Sequence, residues 1–343
     1  MSEKERDIFV LISRYRSQLM GFAALWIWIF HVWMRIFKEP VIPYVTAIEE
    51  FFVKTGFCGV DIFFFLSGAG LVHAIKRPDF YRRRFSRLLP PHFIMAIVFF
   101  FSYGWSVGQL VKNLTGFNFL FHDVNDFLWF NFAIAIFYLL FPLYDKLMGR
   151  GEGSLERKLY ITGILLVLWL FLSIFLRDIL REDLYGFTNR IPVFLLGGLF
   201  GYGGLVKKQD TGRLFYVLGL LLLGCGIYLS FLTNFRDYYL LVELSNCCIP
   251  NLFMSLGIIM LLPGLLQKLS LKWLDGGLAF LGSISLELYC VYHPVERYIK
   301  GFLKPYLPRL VTNLIVLAAG IFIAYLLRRL CSLVTGLFKR DQL

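Results

Sequence analysis

Ten apolar runs of about 20 residues, separated by short polar connections, leave few folds open to this chain. Backbone in lipid must be helical or closed into a barrel, and a helix needs about 20 apolar residues to cross the hydrocarbon. The runs are continuous and lack the alternation of barrel strands. They predict helices near 17–37, 56–75, 89–107, 127–144, 159–176, 187–206, 214–232, 240–266, 274–293 and 309–327. The fold class expected is all-α, a polytopic transmembrane bundle of about ten helices in one integral membrane domain over 1–343. Composition agrees. Of 343 residues 58% are hydrophobic, with 30 glycines besides, and only 17% are charged, whereas soluble domains carry about 45–50% apolar residues, glycine included.

The net charge of +12 invites a nucleic-acid reading until the charges are located. Of the 35 Lys and Arg, 23 fall at the N-terminal end or in connections on that same side of a ten-span chain: 1–16, 76–87, 145–158, 207–213, 267–272 and 328–343. The richer side is the cytosolic one. Both termini are therefore expected in the cytosol, the protein in the cytoplasmic membrane, its partner the lipid bilayer and not nucleic acid. The opening Met1–Asp7 has no basic leader pattern, so the first run is expected to remain as a span. The six cysteines form no CxxC pair and no Cys/His ligand spacing; neither a metal nor a disulfide framework is expected.

Ionisable groups inside spans are costly and mark function by default. Here they are His31, Asp61, Arg190, Glu243 and Glu287. His31 is the one side chain of its span that exchanges a proton near neutral pH, and a neutral imidazole held dry suits a general base. It equally suits a hydrogen bond between helices. The stretch Lys76–Pro91 reads as a loop with six cations in twelve residues, Arg82, Arg83, Arg84 and Arg87 among them. Such a cluster grips phosphates, or rests on anionic headgroups and sets topology. His73, His92 and His122 read as interfacial, and Gly197, Gly198, Gly201 and Gly204 as a surface for close helix packing.

Several stretches together resemble the acyltransferase family 3 membrane proteins. They are Met20–Leu25 through Phe30-His31, Gly59-Val60-Asp61 through Ser67-Gly68, Tyr81–Pro90 with Arg84-Phe85-Ser86-Arg87, Arg190-Ile191-Pro192 through Gly197, and Leu281 through Glu287-Leu288-Tyr289. They run in the family's order over about 300 residues. The resemblance implies that acyl-CoA (acetyl-CoA) from the cytosol acts as donor substrate, with no permanently bound cofactor. It implies a carbohydrate or cell-envelope glycan hydroxyl as acceptor, and His31 as the catalytic base with Asp61 orienting it. Arg82, Arg83, Arg84 and Arg87 then hold the CoA phosphates, and Arg190, Glu287, Tyr289 and His293 line the substrate site. Two positions depart from the pattern. Met20 stands where the family has Arg, with Arg16 one turn earlier, and His293 follows Tyr289 by four residues where the family's His follows by three. A transporter or flippase, or a non-catalytic sensor on the same scaffold, is the alternative reading.

The charge count makes a simple prediction. Cytosol-dependent reporters fused at either end should both be active, and a reporter inserted near residue 180 should be silent.

Overall fold

The computed structural model describes residues 7–32, 43–121, 128–149, 154–175, 186–206, 212–232 and 249–340. Among them there are helices and short connections and no strand. In chain order these are α1 (Ile8–Arg14), α2 (Arg16–His31), α3 (Pro43–Lys54), α4 (Cys58–Ala74), α5 (Phe80–Tyr103), α6 (Val107–Leu114), α7 (Phe117–Phe121), α8 (Trp129–Leu147) and α9 (Leu155–Phe175). Then come α10 (Ile191–Val206), α11 (Arg213–Leu232), α12 (Ile249–Leu269), α13 (Lys272–Ser283), α14 (Ser285–Pro294), a π-helical turn Val295–Lys300 with a short helical end Gly301–Leu303, and α15 (Arg309–Arg340). Glu243, Cys247, Cys248 and His122 lie outside the described residues, as do 33–37 of the first expected span and 38–42 after it.

A helix occupies each of the ten expected segments, but not as ten straight crossings. Six single helices among the described residues are long and apolar enough to cross a bilayer, or eight if each of two bent pairs makes one span. The other two, α2 and α10, have 16 residues each, about 24 Å of helix, short of a full crossing. The bent pairs are α3 with α4 (46°) and α13 with the segment Ser285–Leu303 (71°). A straight span over 274–293 is thus corrected: the helix breaks at Ile284, whose backbone leaves the helical region at φ −108°, ψ 13°. The basic loop is corrected too. Its arginines form the first two turns of α5, which runs through Pro90 and Pro91. Proline is tolerated in membrane helices because neighbouring groups re-satisfy the freed backbone.

Small residues decide which helices touch. Gly21 of α2 and Gly282 of α13 meet the backbone of Leu278 and of Ser17, respectively, leaving no room for a side chain. Gly68 of α4 and Gly197 of α10 press in the same way on Phe194 and Phe65, and a Cβ on Gly201 would stand 2.7 Å from the Ala69 carbonyl oxygen. The glycine pattern read in the sequence is therefore a packing surface. Helix association in lipid depends on such close approach, because lipid tails are as apolar as leucine.

Around this spine the large apolar side chains fill two regions. One is built on Phe64, Phe137, Phe141, Phe194 and Met254, the other on Trp28, Phe99, Leu288, Val291 and Val316. Outside them α9, α11 and α15 turn long apolar faces outward, with Phe171 60%, Leu221 65% and Phe322 61% exposed. No water-soluble monomer shows such a surface. The protein is a multi-pass membrane protein.

Replacing Gly282 with Val should push α13 off α2. The expected cost is about 1–3 kcal/mol, read as a lower melting temperature in detergent, with Gly277→Val, whose Cβ would meet open space, as the neutral control.

Candidate active site

On α2, Arg16, Met20, Ile27 and His31 follow at intervals of 4, 7 and 4 residues and so share one face of the helix. The first three line a cavity of about 420 Å³ enclosed by α2, α4, α5, α8 and the α13–α14 break. His31 lies one turn, about 6 Å, past Ile27. Its half-buried ring is stacked on Tyr292, with centroids 4.1 Å apart and planes at 21°, and Phe30 meets it edge-on.

The opposite end of the cavity is basic. Arg16, Arg77, Arg83, Arg84 and Arg87 line it, with no Asp or Glu among the described lining residues. Arg83 and Arg84 stand four and three residues before Arg87 and so share its side of α5; Arg82 lines only a separate groove, which Arg83 also reaches. Arg16 donates from Nη1 to the Leu66 carbonyl at 2.7 Å, and a Cβ on Gly70 would stand 2.6 Å from that nitrogen. The guanidinium thus occupies space that only glycine leaves free. Arg84 lies over the Tyr138 ring, 5.6 Å from its centroid. Arg83 is paired with Asp79 just before α5, and this hydrogen bond holds the Asp79 carboxyl below its usual range.

Glu287 is fully buried at the start of α14 and carries its own counter-ions. Arg87 donates to both of its oxygens, with Nη2–Oε2 at 2.9 Å, and also to the Ser283 carbonyl at 3.2 Å. Arg328 of α15 approaches the same carboxylate at 3.5 Å. The charge read in the sequence as lining a substrate site is therefore an ion-pair hub joining α5, α14 and α15. Tyr289 does line the cavity, its hydroxyl accepting from the Phe130 backbone N–H at 3.2 Å.

Asp61 pairs with Arg190, not with His31. Their Oδ1 and Nε are 3.7 Å apart, both residues are 2% exposed, and Asp61 Oδ2 and Arg190 Nε and Nη2 have no hydrogen-bond partner among the described atoms. Arg190 also donates to the Gly186 carbonyl at 2.8 Å and lies against the Trp129 ring. Neither residue lines the cavity. His293 bonds through Nδ1 to the Tyr103 hydroxyl, and Arg297 covers the Tyr103 ring at 4.3 Å. His293 is thus part of a polar cluster with α5. The position three after Tyr289 holds Tyr292, the residue on which His31 is stacked. Sequence reading missed Tyr292; the spacing from Tyr289 was the available signal. His92, read as interfacial, is instead in the core at 2% exposure, its Nδ1 3.3 Å from Asn131 Nδ2.

What these helices enclose is a basic chamber inside a membrane bundle, with a histidine one turn beyond its apolar end. Comparison with known proteins assigns the class. The acyltransferase domain matches residues 19–329, and the chain belongs to that family. A curated relative, the peptidoglycan O-acetyltransferase OatA of Listeria monocytogenes serovar 1/2a (strain ATCC BAA-679 / EGD-e), is 25% identical over 268 residues, 73% of this chain. The chain spans 42% of that relative's length. No solved structure matches.

Glu287→Gln should expose the cost of the hub. Removing one partner of a buried pair costs about 3–5 kcal/mol, and the low end is expected because Arg87 and Arg328 are 35% and 40% exposed. Melting of the single variant against Arg87→Gln/Glu287→Gln checks it, the double variant being the more stable.

Proposed function

We propose that the protein is an O-acyltransferase of the cytoplasmic membrane. It moves an acyl group, acetyl in the first instance, from acyl-CoA to a hydroxyl of a carbohydrate or cell-envelope glycan. The observation that carries this is the charge of the cavity: five arginines and no acid in its described lining, with apolar residues that include Ile27, one turn from His31. CoA has the complementary shape, a phosphate-rich head followed by a thin pantetheine arm with the thioester at its tip. Arginine suits the head because its planar fork binds phosphate through two hydrogen bonds. Arg84 and Arg77 supply such forks, while Arg83 is paired with Asp79, Arg16 donates from one nitrogen to the Leu66 carbonyl, and Arg87 is largely engaged by Glu287. The likeness to the Listeria peptidoglycan O-acetyltransferase favours acetyl as the group and a wall glycan as the acceptor. With the termini cytosolic, the basic end opens where CoA is made.

In this reading acceptor and donor meet at His31. The neutral imidazole takes the acceptor hydroxyl proton as that oxygen attacks the thioester carbonyl. The tetrahedral intermediate collapses, the C–S bond breaks, and the imidazolium returns its proton to the departing thiolate. One ester and one free CoA thiol result. Tyr292, stacked on the ring, fixes its plane.

A general base contributes about 10²–10⁴-fold, so His31→Ala should lower kcat at least about 10²-fold with helicity and membrane insertion unchanged. Arg84→Gln should raise the KM for acetyl-CoA about tenfold and leave the acceptor KM alone, one charge-assisted bond being worth about 1.5–3 kcal/mol. Both are measured with the purified full chain in nanodiscs, labelled acetyl-CoA and soluble glycan. Full activity in His31→Ala, or no acyl transfer by the unaltered chain, rejects the assignment. Mass spectrometry of envelope glycans from cells with and without the protein identifies the acceptor.

A further inference from the structure

Arg82 stands outside the donor cavity, and its surroundings have a composition of their own. On the other side of α5 a groove of about 930 Å³ runs between that helix and α15. One wall is a single stripe of α5, Arg82, Ser86, Leu89 and Phe93, at intervals of 4, 3 and 4 residues; Val334 and Thr335 of α15 face it. Polarity changes once along this stripe, from a guanidinium and a hydroxyl to hydrocarbon alone. Asp79 and Arg83 line the same end but are paired with each other, whereas Arg82 is exposed and forms no ion pair with any described residue. From Arg82 to Ile94, which also lines the groove, helix rise gives about 18 Å. That is close to the ~15 Å of hydrocarbon in one leaflet.

We propose that this groove binds an anionic glycerophospholipid, its phosphate on Arg82 and Ser86 and one acyl chain laid along Leu89, Phe93 and Ile94 against Val334. A free cation, an adjacent hydroxyl and an apolar channel one leaflet long match such a lipid from head to tail. A soluble anion would use only the first turn. Basic pockets between membrane helices recognise acidic headgroups by the same physics. The site has a structural consequence as well. The two helices that form it are the two that reach Glu287 from outside α14, through Arg87 and Arg328. Lipid in the groove braces that junction from its outer face.

The test uses the full chain in detergent micelles doped with phosphatidylglycerol or phosphatidylcholine, with bound lipid counted by native mass spectrometry. Arg82→Glu should lower phosphatidylglycerol binding about tenfold, the loss of one charge-assisted contact, and leave phosphatidylcholine unchanged; Arg82→Lys should recover part of it. Ser86→Asp carries the same test from the next turn, and Val334→Trp, which fills the tail channel, should reduce both lipids. Phosphatidylglycerol bound as tightly by Arg82→Glu and Ser86→Asp as by the unaltered chain overturns the proposal. So does its complete displacement by an equal concentration of inorganic phosphate, which would make the groove a site for soluble anions.

Discussion

A carboxylate sealed from solvent sets the geometry of the basic end of this protein. Glu287 cannot be buried alone, because an uncompensated charge in a low-dielectric interior costs several kcal/mol. It gathers Arg87 from α5 and Arg328 from α15, and in doing so fixes the rotation of α5 about its own axis. Once Arg87 faces inward, helical spacing brings Arg84 and Arg83 to the cavity, Arg83 at its margin where it also meets the outer groove, and leaves Arg82 in that groove alone. The basic lining of the chamber follows from a single buried acid that is not itself part of the lining.

Charge in the bundle is thereby divided between two places with hydrocarbon in between. The arginines of α2 and α5 stand at one end. Asp61 and Arg190, against Trp129, form a separate buried pair beside the first turns of α4 and α10. Ile27, Val60, Phe63 and Phe130 line the same cavity and give it apolar walls besides its basic ones. Electrostatic interactions are far stronger in such a setting than in water.

Much of this was legible in the chain itself. Continuous apolar runs identify the helical segments, and the glycines of α10 announce the tight seam with α4, because both signals are local. The pairing of charges was not legible, since it depends on which helix faces meet. Asp61 reads as a partner for His31 from family resemblance, yet the backbone contact of Gly68 and Gly197 sets α4 beside α10 and presents Arg190 to it. Arg16 is harder still. Its displacement by one turn from the family position looks like a loss, until Gly70 is seen to open the space that its guanidinium occupies. The break at Ile284 was hidden because the run around it, in spite of Ser283 and Ser285, stays apolar enough on average to read as one span, and hydropathy reports burial without reporting direction.

The glycine seams carry one more implication. Where α2 lies on α13 and α4 on α10, backbone rests directly on backbone, and a rigid contact of that kind has no side-chain rotamers to absorb a displacement. The α5 wall is different, since it is joined to the rest through long arginine side chains and aromatic rings. A guest in the chamber can therefore be accommodated by side chains along α5, where the glycine seams offer none to move.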